Sequence, residues 1–179
     1  IGSGAFNGCT KITSITIPDS VTSIGSGAFY NCSALTTVYF TGTVEEWCEI
    51  NFGGYYLSKN VDLYINGTKV VDLVIPNTVT KINAYAFNYC TSITSVTVPS
   101  SVTTIGNGAF YNSNNISSMS LPYAPTYFGS IFGSSGYSSN ATYVPTSLKA
   151  VVLTGGTSIA SNAFYGCSGL TSINISSRV

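Results

Sequence analysis

The chain contains no histidine, and only 7% of its 179 residues are charged. Without histidine, neither Ser–His–Asp nor Cys–His catalysis can be assembled from these residues, and the usual general base is missing. The commonest metal ligand is missing too, and none of the five cysteines forms a CxxC pair, so no zinc site is expected. Six Lys+Arg stand against six Asp+Glu. That balance excludes the clustered cations needed by a nucleic-acid binder or by a protein held on an anionic membrane. Apolar runs are short and broken by polar residues, so no membrane span is expected, and no leader peptide is visible. A glycosidase would need two carboxylates across a cleft. Here Glu45, Glu46, Glu49, Asp62 and Asp72 fall in one stretch, without the DxDxDG spacing of a calcium loop. The expectation is a protein that is not an enzyme and carries no cofactor.

What the chain has is a repeat. Ile24-Gly25, Ala28-Phe29, Cys32, Leu35, Val38 and Phe40 form a framework that recurs from Ile1, Ile82, Ile105 and Ile159. Ile1 to Ile24 and Ile82 to Ile105 are both 23 residues. A fixed period in this range signals stacked units, each covering its neighbour's apolar face. The step Leu35, Val38, Phe40 ends in a β-branched, aromatic alternation that predicts a short strand. Proline follows it in Ile17-Pro18, and a missing N–H suits a strand end. The same triplet begins at residues 12, 35, 70, 93, 116, 148 and 170, which gives seven strands. At a strand spacing of about 4.8 Å the resulting sheet would be roughly 34 Å long. Residues 1–179 read as a single domain that is a piece of a longer repeat protein.

Two columns should run through the stack. Phe6, Phe29, Phe87, Phe110 and Phe164 share one position and are expected to stack inside. Cys9, Cys32, Cys90 and Cys167 share another, which Ser113 takes in the fourth full copy. Their spacing would allow a Cys9–Cys32 disulfide, but small buried thiols making weak hydrogen bonds are the stronger expectation.

Two stretches are expanded. In residues 43–69, TVEEWCEI predicts a short helix capped by Thr43 with Glu46 closing a capping box, and Asn66-Gly67 predicts a type I′ hairpin. In residues 122–147, a Gly/Ser/Pro-rich stretch with tyrosines predicts a loop or short helix around Tyr127 to Phe132. Tyr55, Tyr56, Tyr137 and Tyr143 lie among Gly, Ser and Asn and are expected to be exposed, as candidate partner-binding residues. The alternative surface is the outward face of the strands, with Thr16, Thr37, Tyr39 and Thr97.

The pattern CxxLxxVxF followed by IPxxVxxIGxxAFxxC resembles the BspA-like leucine-rich repeat family of bacterial surface proteins. The departures are the two expansions, a shorter segment without proline between Leu153 and Ile159, and Ser113 in place of cysteine. The resemblance implies a right-handed leucine-rich-repeat solenoid, mainly β and poor in helix, with about seven stacked turns and a parallel sheet on one face. It also implies an extracellular or cell-surface location and an adhesion or protein–protein interaction role. No binding residue of the family is fixed well enough to carry over. The partner would be a protein or a glycan on another cell or matrix. A glycan-binding module using the exposed tyrosines, or a structural spacer, remain as alternatives.

Overall fold

The computed structural model describes residues 1–179. β1 (Ser14–Ile17), β2 (Ser23–Ile24) and β3 (Thr37–Phe40) precede the helix α1 (Val44–Glu49). β4 (Asn51–Phe52), β5 (Asp62–Ile65) and β6 (Thr68–Lys69) follow in the first expansion. β7 (Asp72–Val74), β8 (Lys81–Ile82), β9 (Ser95–Thr97), β10 (Thr104–Ile105) and β11 (Ser118–Leu121) form the regular middle. A one-turn helix, α2 (Asn140–Tyr143), closes the second expansion before β12 (Ala150–Leu153) and β13 (Ser172–Ile175).

The longer strands make two sheets, ordered β1-β3-β5-β6 and β13-β12-β11-β9-β7. Every pairing is parallel except β5 with β6. The apolar repeat positions align in register, Ile15 to Val38 to Leu63, then Leu73 to Val96 to Met119 to Val151 to Ile173. All seven strands read from the triplet are present. An eighth, β5, joins the ladder beside β3. Asn66 and Gly67 have φ of 47° and 73°, so the hairpin turn is of the primed type that its Asn-Gly demands. The returning β6 leaves the first ladder, and β7 begins the second.

The core is one continuous cluster of 41 buried residues. Its phenylalanine column is present: Phe6 stacks on Phe29 at 5.4 Å between ring centroids, and Phe87 on Phe110 at 5.6 Å. A backbone rung holds the regular steps, such as the Phe6 N–H donating to Ala28 (2.8 Å) and the Phe87 N–H to Ala109 (2.7 Å). Close approach of neighbouring copies explains the first glycine of IGxxAF. A Cβ on Gly106 would collide with the backbone of Asn83 and Ala84. The second expansion continues the column, because Phe128–Phe132 is a 3₁₀ helix whose two rings insert between Phe110 and Phe164.

In the first expansion, Thr43 and Glu46 form both halves of the capping box. The Thr43 N–H donates to the Glu46 carboxylate at 2.8 Å, and the Glu46 N–H to Thr43 Oγ1 at 3.2 Å. The helix thereby carries Trp47 and Cys48 into the core. Here no phenylalanine N–H reaches Ala86, so side chains serve its carbonyl. Trp47 Nε1 donates at 2.9 Å and the Tyr56 hydroxyl at 3.2 Å. The acids are surface groups. Asp62 pairs with Lys69 at 2.7 Å, a half-exposed ion pair that contributes little to stability.

The thiol column forms a hydrogen-bond ladder only in part, because the Cys90 thiol donates to the Asn88 carbonyl of its own copy at 3.7 Å. The Cys32 thiol donates to the Phe6 carbonyl at 3.1 Å, and in the fourth copy the Ser113 hydroxyl donates to the equivalent Phe87 carbonyl. All five cysteines are free. Uniform burial of the columns is not found. Phe6, Cys9, Phe164 and Cys167 are only half-buried, each lying in the first or last copy with a neighbour on one side. Burial pushes the Cys167 thiol up to about 11, and burial with nearby Glu49 and Glu45 pushes Cys48 to about 12. Thiolate is the reactive form. The expected result with a thiol reagent at pH 8 is therefore early reaction at Cys9 and no reaction at Cys48 and Cys90 until the protein unfolds. Peptide mapping that finds Cys48 or Cys90 labelled in native protein would contradict the packing.

Candidate functional site

The two candidate surfaces differ in shape. On the strand face Thr16, Tyr39 and Thr97 are exposed and Thr37 is half-buried. Tyr39 lies against Tyr64 at 5.0 Å, and the remaining outward residues are mainly Ser, Asp and Val. This is an open surface of small side chains.

The turn segments between strands carry a different feature. Tyr55, from the first expansion, packs on Tyr85 at 4.7 Å and on Tyr111 at 4.5 Å. Tyr111 in turn meets Tyr89 at 5.7 Å and Tyr143, from the second expansion, at 6.2 Å. Five rings from four separate segments thus form one platform. Tyr55 is 41% exposed and the other four are half-buried. Burial, then the neighbouring Tyr85 and Tyr111, push the Tyr55 phenol up to about 12. It is therefore a neutral hydrogen-bond donor at any physiological pH. Beside Tyr111 and Tyr143 opens a cavity of about 550 Å³, lined also by Asn112, Asn114, Thr142 and Thr146.

The structure sorts the tyrosines expected from the sequence. Tyr55 and Tyr143 come together through Tyr111. Tyr137 is exposed but lies apart, edge-on to Tyr165 at 5.7 Å. Tyr56 is fully buried, contrary to the expectation of exposure. The cause is a hidden copy of the repeat. The Gly27 N–H bonds Tyr55 and the Phe29 N–H bonds Tyr56, whereas in the first copy Gly4 and Phe6 bond Ser26 and Ala28. Gly-Gly-Tyr-Tyr-Leu is thus an irregular copy of GxGAF, with Tyr56 in the alanine column and its ring filling the core.

Tyr85 and Tyr89 were not anticipated, yet the repeat marks them. Tyr85 has φ of 62° and Tyr89 of 58°. The equivalent residues in other copies are Gly4, Gly27, Gly108 and Asn162 for the first, and Gly8, Asn31, Asn112 and Gly166 for the second. Those types tolerate the left-handed region, while a residue with a bulky Cβ substituent loses about 1–2 kcal/mol there. Between the two lies Asn88, fully buried, with neither side-chain polar atom hydrogen-bonded. Three local costs therefore sit in one five-residue segment.

A family model described as a BspA type leucine-rich repeat region matches residues 1–70 and 62–178, in six copies. The chain belongs to this family. Three solved structures resemble this BspA-type chain. A leucine-rich cell surface protein from Faecalibacterium prausnitzii is 20% identical, with a TM-score of 0.43 over 98% of this chain and 63% of its own. A leucine-rich repeat protein from Bacteroides ovatus is 23% identical, with a TM-score of 0.41 over 100% and 64%. The T. pallidum leucine-rich repeat protein is 21% identical, with a TM-score of 0.38 over 97% and 61%. The BspA-type chain thus spans less than two thirds of the length of these structures. No curated protein matches it. No helix is long and apolar enough to cross a membrane.

Proposed function

We propose that this BspA-type chain is a non-catalytic interaction module of a secreted or cell-surface bacterial protein, acting in adhesion. In this reading residues 1–179 are one domain of a longer protein. Its ladders are successive turns of a right-handed solenoid, with about seven turns regular enough to read and the irregular copy at Tyr55–Leu57 between them. The partner is a macromolecule on another cell or in its matrix, met by the tyrosine platform, with the strand face as the second surface. One observation carries the choice: both expansions, far apart in sequence, send a tyrosine to the same ring, Tyr111. Insertions in repeat proteins tend to lie on the binding face, and partly exposed tyrosines supply contact area at low entropic cost.

The test is a pull-down from host-cell surface and matrix extracts with two double variants. Tyr55→Ser/Tyr143→Ser is expected to lose the captured partner, and Thr37→Lys/Thr97→Lys to keep it. The reverse pattern would move the site to the strand face.

A further inference from the structure

The tyrosine platform and its cavity have a chemistry that narrows the ligand. None of the residues lining the cavity is charged. An anionic or cationic ligand would find no partner there, which disfavours phosphate, sialylated and peptide-terminus ligands alike. The lining offers amides from Asn112 and Asn114, hydroxyls from Thr142, Thr146 and Tyr143, and the ring of Tyr111. Amides and hydroxyls each both donate and accept, as the hydroxyl groups of a sugar do. A ring with a polar tip binds a surface that is apolar on its face and wet at its edge, and a pyranose presents that combination. A protein partner would instead call for a broad patch with an apolar, well-packed centre. Here the apolar part of the lining is small, Ala141, Val144 and Pro145 beside the two rings, and the rest is Asn and Thr.

The rings are also held in place. A Cβ on Gly133 would collide with the ring of Tyr111, and one on Gly108 with the ring of Tyr85. Both glycines have φ near the left-handed region, 99° and 66°. Tyr111 and Tyr85 are seated in notches that only glycine leaves open, and Tyr85 and Tyr89 stand at positions where the remaining copies use glycine or asparagine. Backbone strain of this kind collects at ligand sites. The rings are thus arranged before any ligand arrives, which reduces the entropic cost of binding.

We infer that Tyr55, Tyr85, Tyr89, Tyr111 and Tyr143, with Asn112 and Asn114, form a binding site for a neutral glycan. This rests on the reading that the chain binds through its turn segments. Sugar rings stack on the exposed tyrosine faces, and the cavity beside Tyr143 takes the hydroxyl groups of one residue. Because the lining holds no charge, affinity varies little with salt.

The test titrates the whole chain with cellohexaose, maltohexaose, mannohexaose and N-acetylchitohexaose, by calorimetry and by saturation-transfer NMR. The expected result is saturable binding of at least one of the four. Tyr85→Asn/Tyr89→Asn restores the residue types of other copies, so its melting temperature is expected to stay or rise. Its affinity is expected to fall at least about tenfold, the equivalent of 1.4 kcal/mol. Tyr143→Ser, which leaves the left-handed positions alone, is expected to weaken binding as well, and Thr37→Lys/Thr97→Lys to leave it unchanged. No binding by any of the four sugars, or undiminished binding by the asparagine double variant, overturns the inference. So does a melt several degrees lower in that variant, because the rings would then be packing groups. A tyrosine-dependent protein partner with no bound sugar would leave the interaction reading standing and remove the glycan. Failure of both experiments would remove both.

Discussion

Phe110→Ala is expected to cost about 3–5 kcal/mol, the usual loss for a fully buried phenylalanine. Phe110 is 0% exposed, stacked on Phe87 at one side and against Phe132 on the other. In a chain of this size roughly 2–4 °C of melting temperature accompanies each kcal/mol, so a fall of some 6–20 °C should be seen by circular dichroism. Phe6→Ala is the control. Its ring is half-buried and touches one column neighbour, so the fall should be clearly smaller. Equal effects at the two positions would mean that the column does not transmit packing along the stack.

Trp47→Ala is expected to be as severe, about 3–5 kcal/mol, for a different reason. Trp47 meets Phe40 at 5.1 Å, Phe52 at 5.5 Å and Tyr56 at 6.5 Å, and its N–H serves the Ala86 carbonyl. It occupies the place where the regular column is interrupted. Removing it leaves a cavity where the first expansion meets the regular copies that follow. Trp47→Phe separates the two contributions. It keeps a ring and loses the hydrogen bond, while the Tyr56 hydroxyl still reaches Ala86, so about 1 kcal/mol is expected for the donor itself. Hydrogen exchange supplies the location. Protection in Asp62–Ile65 should fall more than protection in Ser118–Leu121. Uniform loss along the chain would place Trp47 outside the join.

Much of this fold is legible in the residues, because the repeat states the same fact several times. The strand triplet, the cap of Thr43 with Glu46 and the Asn66-Gly67 hairpin are local devices, and each appears where its residues place it. Ser113 in the fourth copy bonds the Phe87 carbonyl, the equivalent of the Phe6 carbonyl that Cys32 bonds, so the column could be read through a substitution. β5 as a ladder strand was harder. The step from Val38 to Leu63 is 25 residues where that from Ile15 to Val38 is 23, and a helix replaces IPxxV, so the spacing carries no period. The candidate site was half-legible. Local polarity around Tyr55 indicates exposure, but the same polarity surrounds the half-buried Tyr143 and the buried Tyr56, and only the backbone rung to Phe29 decides that Tyr56 points inward. Tyr85 and Tyr89 are visible only by aligning copies and asking which residue type the backbone wants. That the two expansions converge on Tyr111 depends on stacking across 88 residues of chain, from Tyr55 to Tyr143.

The antiparallel β6 has a consequence for synthesis. Near-identical copies that emerge one after another can dock out of step, each accepting the wrong neighbour or a copy from another molecule, because their exposed edges are interchangeable. A strand that returns on β5 by a two-residue turn forms without waiting for later chain, and it ends the first sheet with an antiparallel pair that no other copy has. It acts as a milestone: copies made before it and copies made after it cannot be exchanged by sliding, and an error in pairing stops at the hairpin.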